Sequence, residues 1–121
     1  MRIVSEAAPS GTYGGRFSGA VAFEMLQAAE ADGRPDVAHV AFEDGAVTAW
    51  HSHPGGQHLL LVAGRGRIGT EADGEVELAP GAFVAAPADE RHYHGAARGG
   101  SATWVSITFG ETAWEDAFPD A

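Results

Sequence analysis

The sequence predicts an all-β fold, an antiparallel sandwich or barrel, and three observations carry that prediction. Apolar residues alternate with polar ones over short stretches, Gly, Pro and Asp turns separate those stretches, and helical periodicity is almost absent. Residues 37–42 (Val-Ala-His-Val-Ala-Phe) alternate as a strand, and Glu43-Asp44-Gly45-Ala46 reads as the turn after it. Residues 47–53 form the next strand. Residues 58–63 (His-Leu-Leu-Leu-Val-Ala) are nearly all apolar and are expected to be covered on both faces. Only one face can line the interior, so the other calls for a second sheet or a second subunit.

Gly64-Arg65-Gly66 turns the chain into 67–71, and Ala72-Asp73-Gly74 makes a hairpin into 75–78. Pro80-Gly81 precedes 82–86, Pro87-Ala88-Asp89-Glu90 leads into 91–94, and 103–109 is the last long strand. Arg65 and Arg67 read as turn and surface residues. One stretch has helical character, 24–32 (Glu-Met-Leu-Gln-Ala-Ala-Glu-Ala-Asp), enough for about two turns. Residues 1–16, rich in Gly, Ser and Ala, are expected to form a loose arm and 17–110 the domain. Residues 111–121 are expected to be a tail in which Trp114 and Phe118 pack at i and i+4 of one helical turn.

With 121 residues and 45% hydrophobic content, the chain has room for one core and not for two. It has no cysteine, which excludes disulfides, thiolate metal sites and cysteine nucleophiles and suits a reducing compartment. The N-terminal stretch lacks an apolar core of signal-peptide length, and no run approaches the ~20 apolar residues of a membrane span. A soluble cytoplasmic protein is therefore expected. The formal net charge of −10 repels phosphate backbones and anionic membranes, so neither nucleic acid nor membrane is expected as a partner. A small-molecule substrate is.

The chemistry concentrates in Thr48-Ala49-Trp50-His51-Ser52-His53-Pro54-Gly55-Gly56-Gln57. Residues i and i+2 of a strand share a face, so His51 and His53 lie on one side. The Pro-Gly-Gly turn then lets Gln57 enter the following strand beside them. His92 and His94 repeat the two-residue spacing, with Tyr93 expected to point the other way. Several nitrogen and oxygen donors converging on one point make a metal site. His39 and His58 read as structural or interface residues.

These residues resemble the two cupin signatures. The first reads Gly45, five residues, His51, one residue, His53, three residues, Gln57, six residues, Gly64. The second reads Gly81, five residues, Pro87, four residues, His92. Cupins normally have Glu where this chain has Gln57, Gly where it has Asp89 and Asn where it has Ala96. The resemblance implies a jelly-roll barrel with a divalent metal in its mouth, held by His51, His53, Gln57 and His92. Gly45 and Gly64 would bracket the ligand hairpin at positions that need φ > 0 or tight turning.

The decapeptide above, with Arg91-His92-Tyr93-His94-Gly95-Ala96, looks like the small bacterial cupins with hydroxynitrile lyase activity. Those proteins use manganese on three histidines and one glutamine, which implies Mn(II) here, with Fe(II), Zn, Ni or Co as alternatives. In them a further histidine on the last long strand serves as base. This chain has Trp104 there, so His94 is the candidate acid/base. Ala38, Val40, Trp50, Phe83, Trp104 and Thr108 are the expected substrate-pocket residues, a set that suits a small hydrophobic or aromatic molecule. The alternatives are a metal-dependent dioxygenase of the quercetinase or alkene-cleaving type, and a cupin that only binds a small ligand. Cupins of this size are commonly dimers or tetramers, so a homo-oligomer is expected.

Overall fold

A computed structural model of the chain describes residues 1, 3–4, 8–9, 16–30 and 33–119. Its strands are β1 (Ala8–Pro9), β2 (Val21–Gln27), β3 (Asp36–Phe42), β4 (His51–Ser52), β5 (Gln57–Gly64), β6 (Gly66–Thr70), β7 (Gly74–Leu78), β8 (Phe83–Ala86), β9 (His92–Ala96), β10 (Ala102–Thr108) and β11 (Ala113–Trp114). They form two antiparallel sheets, β1-β2-β3-β10-β5-β8 and β11-β4-β9-β6-β7. This is the all-β jelly-roll sandwich the sequence predicts. No helix occurs among the described residues, and so none long or apolar enough to cross a membrane.

The core sits between the sheets because period-two alternation sends every second side chain inward. Ala38, Val40 and Phe42 of β3, Leu59 and Leu61 of β5, and Ala102 and Trp104 of β10 are buried together. Their sheet is continuous through β10, whose Val105 lies opposite His39 on one side and Leu60 on the other. A register shift at Thr103/Trp104 marks a bulge against β5, which increases local twist as the sheet curls.

Four expectations need correction. Of the expected helix over 24–32, the described residues 24–30 are not helical: 21–27 are strand β2, with Val21, Phe23 and Met25 packed on the core and Val21 paired with Phe42. The helix formers Glu, Met, Leu and Gln gave a local preference that the open edge of β3 overrode. The C-terminal segment is not a helical turn either. Ala113 and Trp114 pair with Ser52 and His51, so the chain is extended there. Residues 47–53 are not one regular strand, since Val47 and Thr48 make isolated bridges to Gly95 and Phe17 and only His51–Ser52 forms a ladder.

Arg67 is the fourth. It is buried, and its guanidinium donates to Ala96 O at 2.7 Å, to Gly45 O at 2.9 Å and to Glu75 Oε1 at 3.0 Å. One side chain thus ties β6 to β7, β9 and the turn at Gly45. Arg65 does lie on the surface, paired with Glu77. The β5 run is covered on its inner face only: Leu59 and Leu61 are buried, while Leu60 and Val62 are 41% and 42% exposed in the single chain. Of the expected arm, 8–9 pair with β2; 2, 5–7 and 10–15 lie outside the described residues, as do 31–32 and 120–121.

Candidate metal centre

Cross-strand pairing assembles the histidines. His51 on β4 stands opposite His92 on β9, and their rings approach to 4.4 Å between centroids. His53 follows two residues after His51 and comes to 5.3 Å from His92. Gly56, at φ 85°, completes the turn that sends the chain across to the other sheet, where a Cβ would strike Ala86 O. Gln57 then opens β5, so the donors span both sheets. Gly45 and Gly64 bracket this hairpin at φ 71° and 78°, as the spacing requires.

One ligand atom from each of His51, His53 and His92 lies within 4.8 Å of the others, and all three residues are buried. Each ring is oriented through its far nitrogen. His51 Nδ1 is 2.8 Å from Ala49 O and His92 Nδ1 is 3.0 Å from Glu90 O; carbonyls only accept, so each Nδ1 carries the proton when it donates. His53 Nδ1 is 3.0 Å from Thr112 Oγ1. That leaves Nε2 of His51 and of His92 as lone pairs, and Nε2 of His53 as well when its Nδ1 donates to the Thr112 hydroxyl, the tautomer a metal site needs. His53 Nε2 is buried with no hydrogen-bond partner. Such an atom costs free energy unless something binds it, and a cation at the cluster would.

Gln57 stands beside the cluster as a candidate fourth donor. Its amide nitrogen donates to Thr108 Oγ1 at 2.9 Å, which turns Oε1 toward the cluster, 2.9 Å from His92 Nε2. His92 therefore has both ring nitrogens facing oxygen acceptors, and a neutral ring can donate to only one. Burial, the largest cause, holds the His92 pKa below the usual value. A divalent ion between Nε2 and Oε1 would resolve this opposition of lone pairs. The residues present fit the metal that the resemblance implies.

Burial, reinforced by His92, pushes His53 down to about 4. His51 lies well below the ordinary range, first through burial and then through His92. His94 lies well below it as well, through burial and then through the charges its histidine neighbours would carry. All four rings are neutral at pH 7, as ligands or proton acceptors must be.

The cluster opens on a pocket lined on one side by Phe17, Phe23, Met25, Val40, Phe42 and Trp114. Asp36, Thr48, Ser106, Thr108 and Thr112 supply its polar wall, and no Lys or Arg is among the described lining residues. His94 lines it too, packed against Phe42 and Trp104, with Nδ1 unpartnered. Of the expected pocket residues, Ala38, Val40 and Thr108 are in place.

Trp50, Phe83 and Trp104 are corrections. Trp50 lies on the far side of β9, against Tyr93 and under the Arg91 guanidinium at 3.9 Å. Phe83 is 60% exposed beside His58. Trp104 is fully buried in the core and donates to Gly95 O at 3.0 Å. Tyr93 points away from the site as expected and donates to Glu75 Oε1. The sequence reading missed Phe17, Phe23, Met25 and Trp114. The alternation Val21-Ala22-Phe23-Glu24-Met25 could have revealed two of them. Nothing in the sequence singles out Thr112.

Two antiparallel sheets around a buried histidine cluster that could hold a divalent metal, at the floor of a largely apolar pocket, define a small β-barrel class of protein. The Cupin domain family matches residues 38–108, more than half of the chain, and the chain belongs to the cupins. It is 40% identical over 91 residues to an (R)-mandelonitrile lyase of Granulicella tundricola, covering 75% of this chain and 70% of that protein. The crystal structure of a cupin-like protein from Thermotoga maritima matches with a TM-score of 0.82 at 30% identity, covering 96% of this chain and 90% of that one. A predicted oxalate decarboxylase from the same organism matches with a TM-score of 0.71 over 88% of this chain and 96% of that one. At 18% identity that match concerns the fold alone.

Proposed function

We propose that this cupin is a metal-dependent enzyme that cleaves or forms the C–CN bond of a small, neutral, hydrophobic or aromatic cyanohydrin. One observation carries the reading: three oriented histidines and a glutamine oxygen, with no carboxylate among them, meet at the floor of an apolar pocket. A divalent ion held by His51, His53, Gln57 and His92 supplies Lewis acidity toward a substrate hydroxyl, undiminished by ligand charge. Mn(II) is the preferred ion.

The chain's own residues do the remainder. Phe17, Phe23, Met25 and Trp114 receive an aromatic or aliphatic substituent and keep water from it. Asp36 is the one charged side chain among the described lining residues, which suits a neutral substrate. His94, neutral and unpartnered at Nδ1, takes the hydroxyl proton. The C–CN bond then breaks, its electron pair leaves with cyanide, the carbon becomes a carbonyl, and the His94 proton passes to cyanide. The name of the 40%-identical relative supports the same reaction class.

The test is mandelonitrile supplied to purified protein in the absence of O2. Benzaldehyde release that chelation abolishes and Mn(II) restores is the expected result; none from metal-replete protein overturns the reading. A dioxygenase is the second reading, favoured by the buried Trp104 at the position where the lyases that the sequence resembles carry their base histidine. O2 uptake with an aromatic alkene would select it. Ligand binding without any turnover would select a binding protein instead.

A further inference from the structure

The segment after β10 lies beyond the residues that match the cupin family, which end at 108. It nevertheless reaches the metal centre. Gly55 N donates to Phe109 O at 2.8 Å and Phe109 N to Gly56 O at 3.1 Å, which seats the segment on the ligand turn. β11 then pairs with β4, Ala113 opposite Ser52 and Trp114 opposite His51. Trp50 N donates to Ala117 O and Glu115 N to Trp50 O, both at 2.9 Å, which closes the far end. Arg91 holds the segment from below through Glu115 at 2.6 Å. The Trp114 ring lies 4.6 Å from that of His51 and forms a pocket wall.

Thr112 occupies the middle of this strap. His51 and His92 are oriented by carbonyls two residues before each of them, so their own strands suffice. His53 has no such local support. Its Nδ1 meets the hydroxyl of Thr112, 59 residues along the chain. Its Nε2 is buried without a hydrogen-bond partner, at the cluster. Among the three histidines, His53 is the one whose Nδ1 meets a side chain, and when the hydroxyl accepts from Nδ1–H, Nε2 is left as the lone pair.

We propose that Thr112 is a positioning residue of the metal centre, which makes the C-terminal strap a working part of the site. It acts through His53, holding the ring so that Nε2 is the free lone pair at the cluster. The proposal rests on the metal-binding reading above. Partners that orient a ligand histidine typically alter metal affinity about 10- to 100-fold when lost.

The experiment is calorimetric titration of Mn(II), and separately Co(II), into the metal-free full chain. Three proteins are compared: unaltered, Thr112→Val and Thr112→Ser. Val keeps the shape and removes the hydroxyl; Ser keeps the hydroxyl. Thr112→Val should bind both ions at least about tenfold more weakly, and Thr112→Ser should return to within about threefold of the unaltered chain. The Co(II) absorption bands should shift in Thr112→Val alone. Metal affinity within threefold of the unaltered chain in Thr112→Val would overturn the proposal. So would equal weakness in both variants, since shape rather than the hydroxyl would then matter. No metal uptake by the unaltered chain would instead defeat the underlying reading, so the two failures are distinguishable.

Discussion

Gln57 is where this site departs most from its family's usual ligands. A neutral amide in place of a carboxylate leaves the charge of a bound divalent ion uncompensated. Gln57→Glu should retain metal while lowering turnover of mandelonitrile about tenfold or more, measured as kcat/KM beside metal content. Unchanged turnover would make the amide's neutrality irrelevant. His51→Ala and His92→Ala should each lose most bound metal, whereas His94→Ala should keep it and lose activity. Metal analysis and the benzaldehyde assay separate these outcomes. The candidate ligands were legible in the sequence because the two-residue spacing brings His51 and His53 to one cluster, although only His51–Ser52 is strand, and the Pro-Gly-Gly turn places Gln57 beside them. The wrong pocket residues share a cause: Trp50, Phe83 and Trp104 are aromatic, but an aromatic side chain alone does not tell inside from outside. Trp50 precedes an inward His51 and so faces the other way. His53's partner was not legible, since Thr112 is distant in sequence and unremarkable in type.

At the scale of elements, alternation made β3, β5 and β10 readable, and the Asp73-Gly74 and Pro80-Gly81 turns marked the hairpin and turn around β7. It failed where local propensity and tertiary pairing disagree. β2 contains helix formers, but its Val21, Phe23 and Met25 face the core and its backbone groups pair with β3. Arg67 shows the limit in the other direction, since charge suggested a surface residue that the fold buries among two carbonyls and Glu75. Removing it strands those acceptors inside. Arg67→Ala should destabilise the protein by about 3 kcal/mol in a denaturant melt, the scale of breaking a buried ion pair. A change below about 0.5 kcal/mol would mean that water replaces the guanidinium without cost.

Across the whole molecule, four histidines held neutral link stability to pH. In the unfolded chain they titrate near 6.5. In the folded chain His53 titrates at about 4 and His51, His92 and His94 are also lowered. Below pH ~6.5 the unfolded state therefore binds more protons than the folded one, and stability falls as pH falls toward 4. The melting temperature of metal-free protein should drop by several degrees between pH 7 and pH 5; a flat profile would contradict the burial. The homo-oligomer is a proposal at this same scale. Val37, Val105, Ile107, Leu60, Val62 and Phe83 face outward from β3, β10, β5 and β8 beside His39 and His58, with Glu24 of β2 opposite His39. A second copy would cover these apolar side chains. Sizing at micromolar concentration should give a dimer or larger, and a monomer would refute it. The measurement that bears most directly on the central claim is anomalous diffraction at the manganese edge from Mn(II)-loaded crystals. The account requires a peak at bonding distance from the Nε2 atoms of His51, His53 and His92 and from Gln57 Oε1. A map with no peak among these four residues would contradict it.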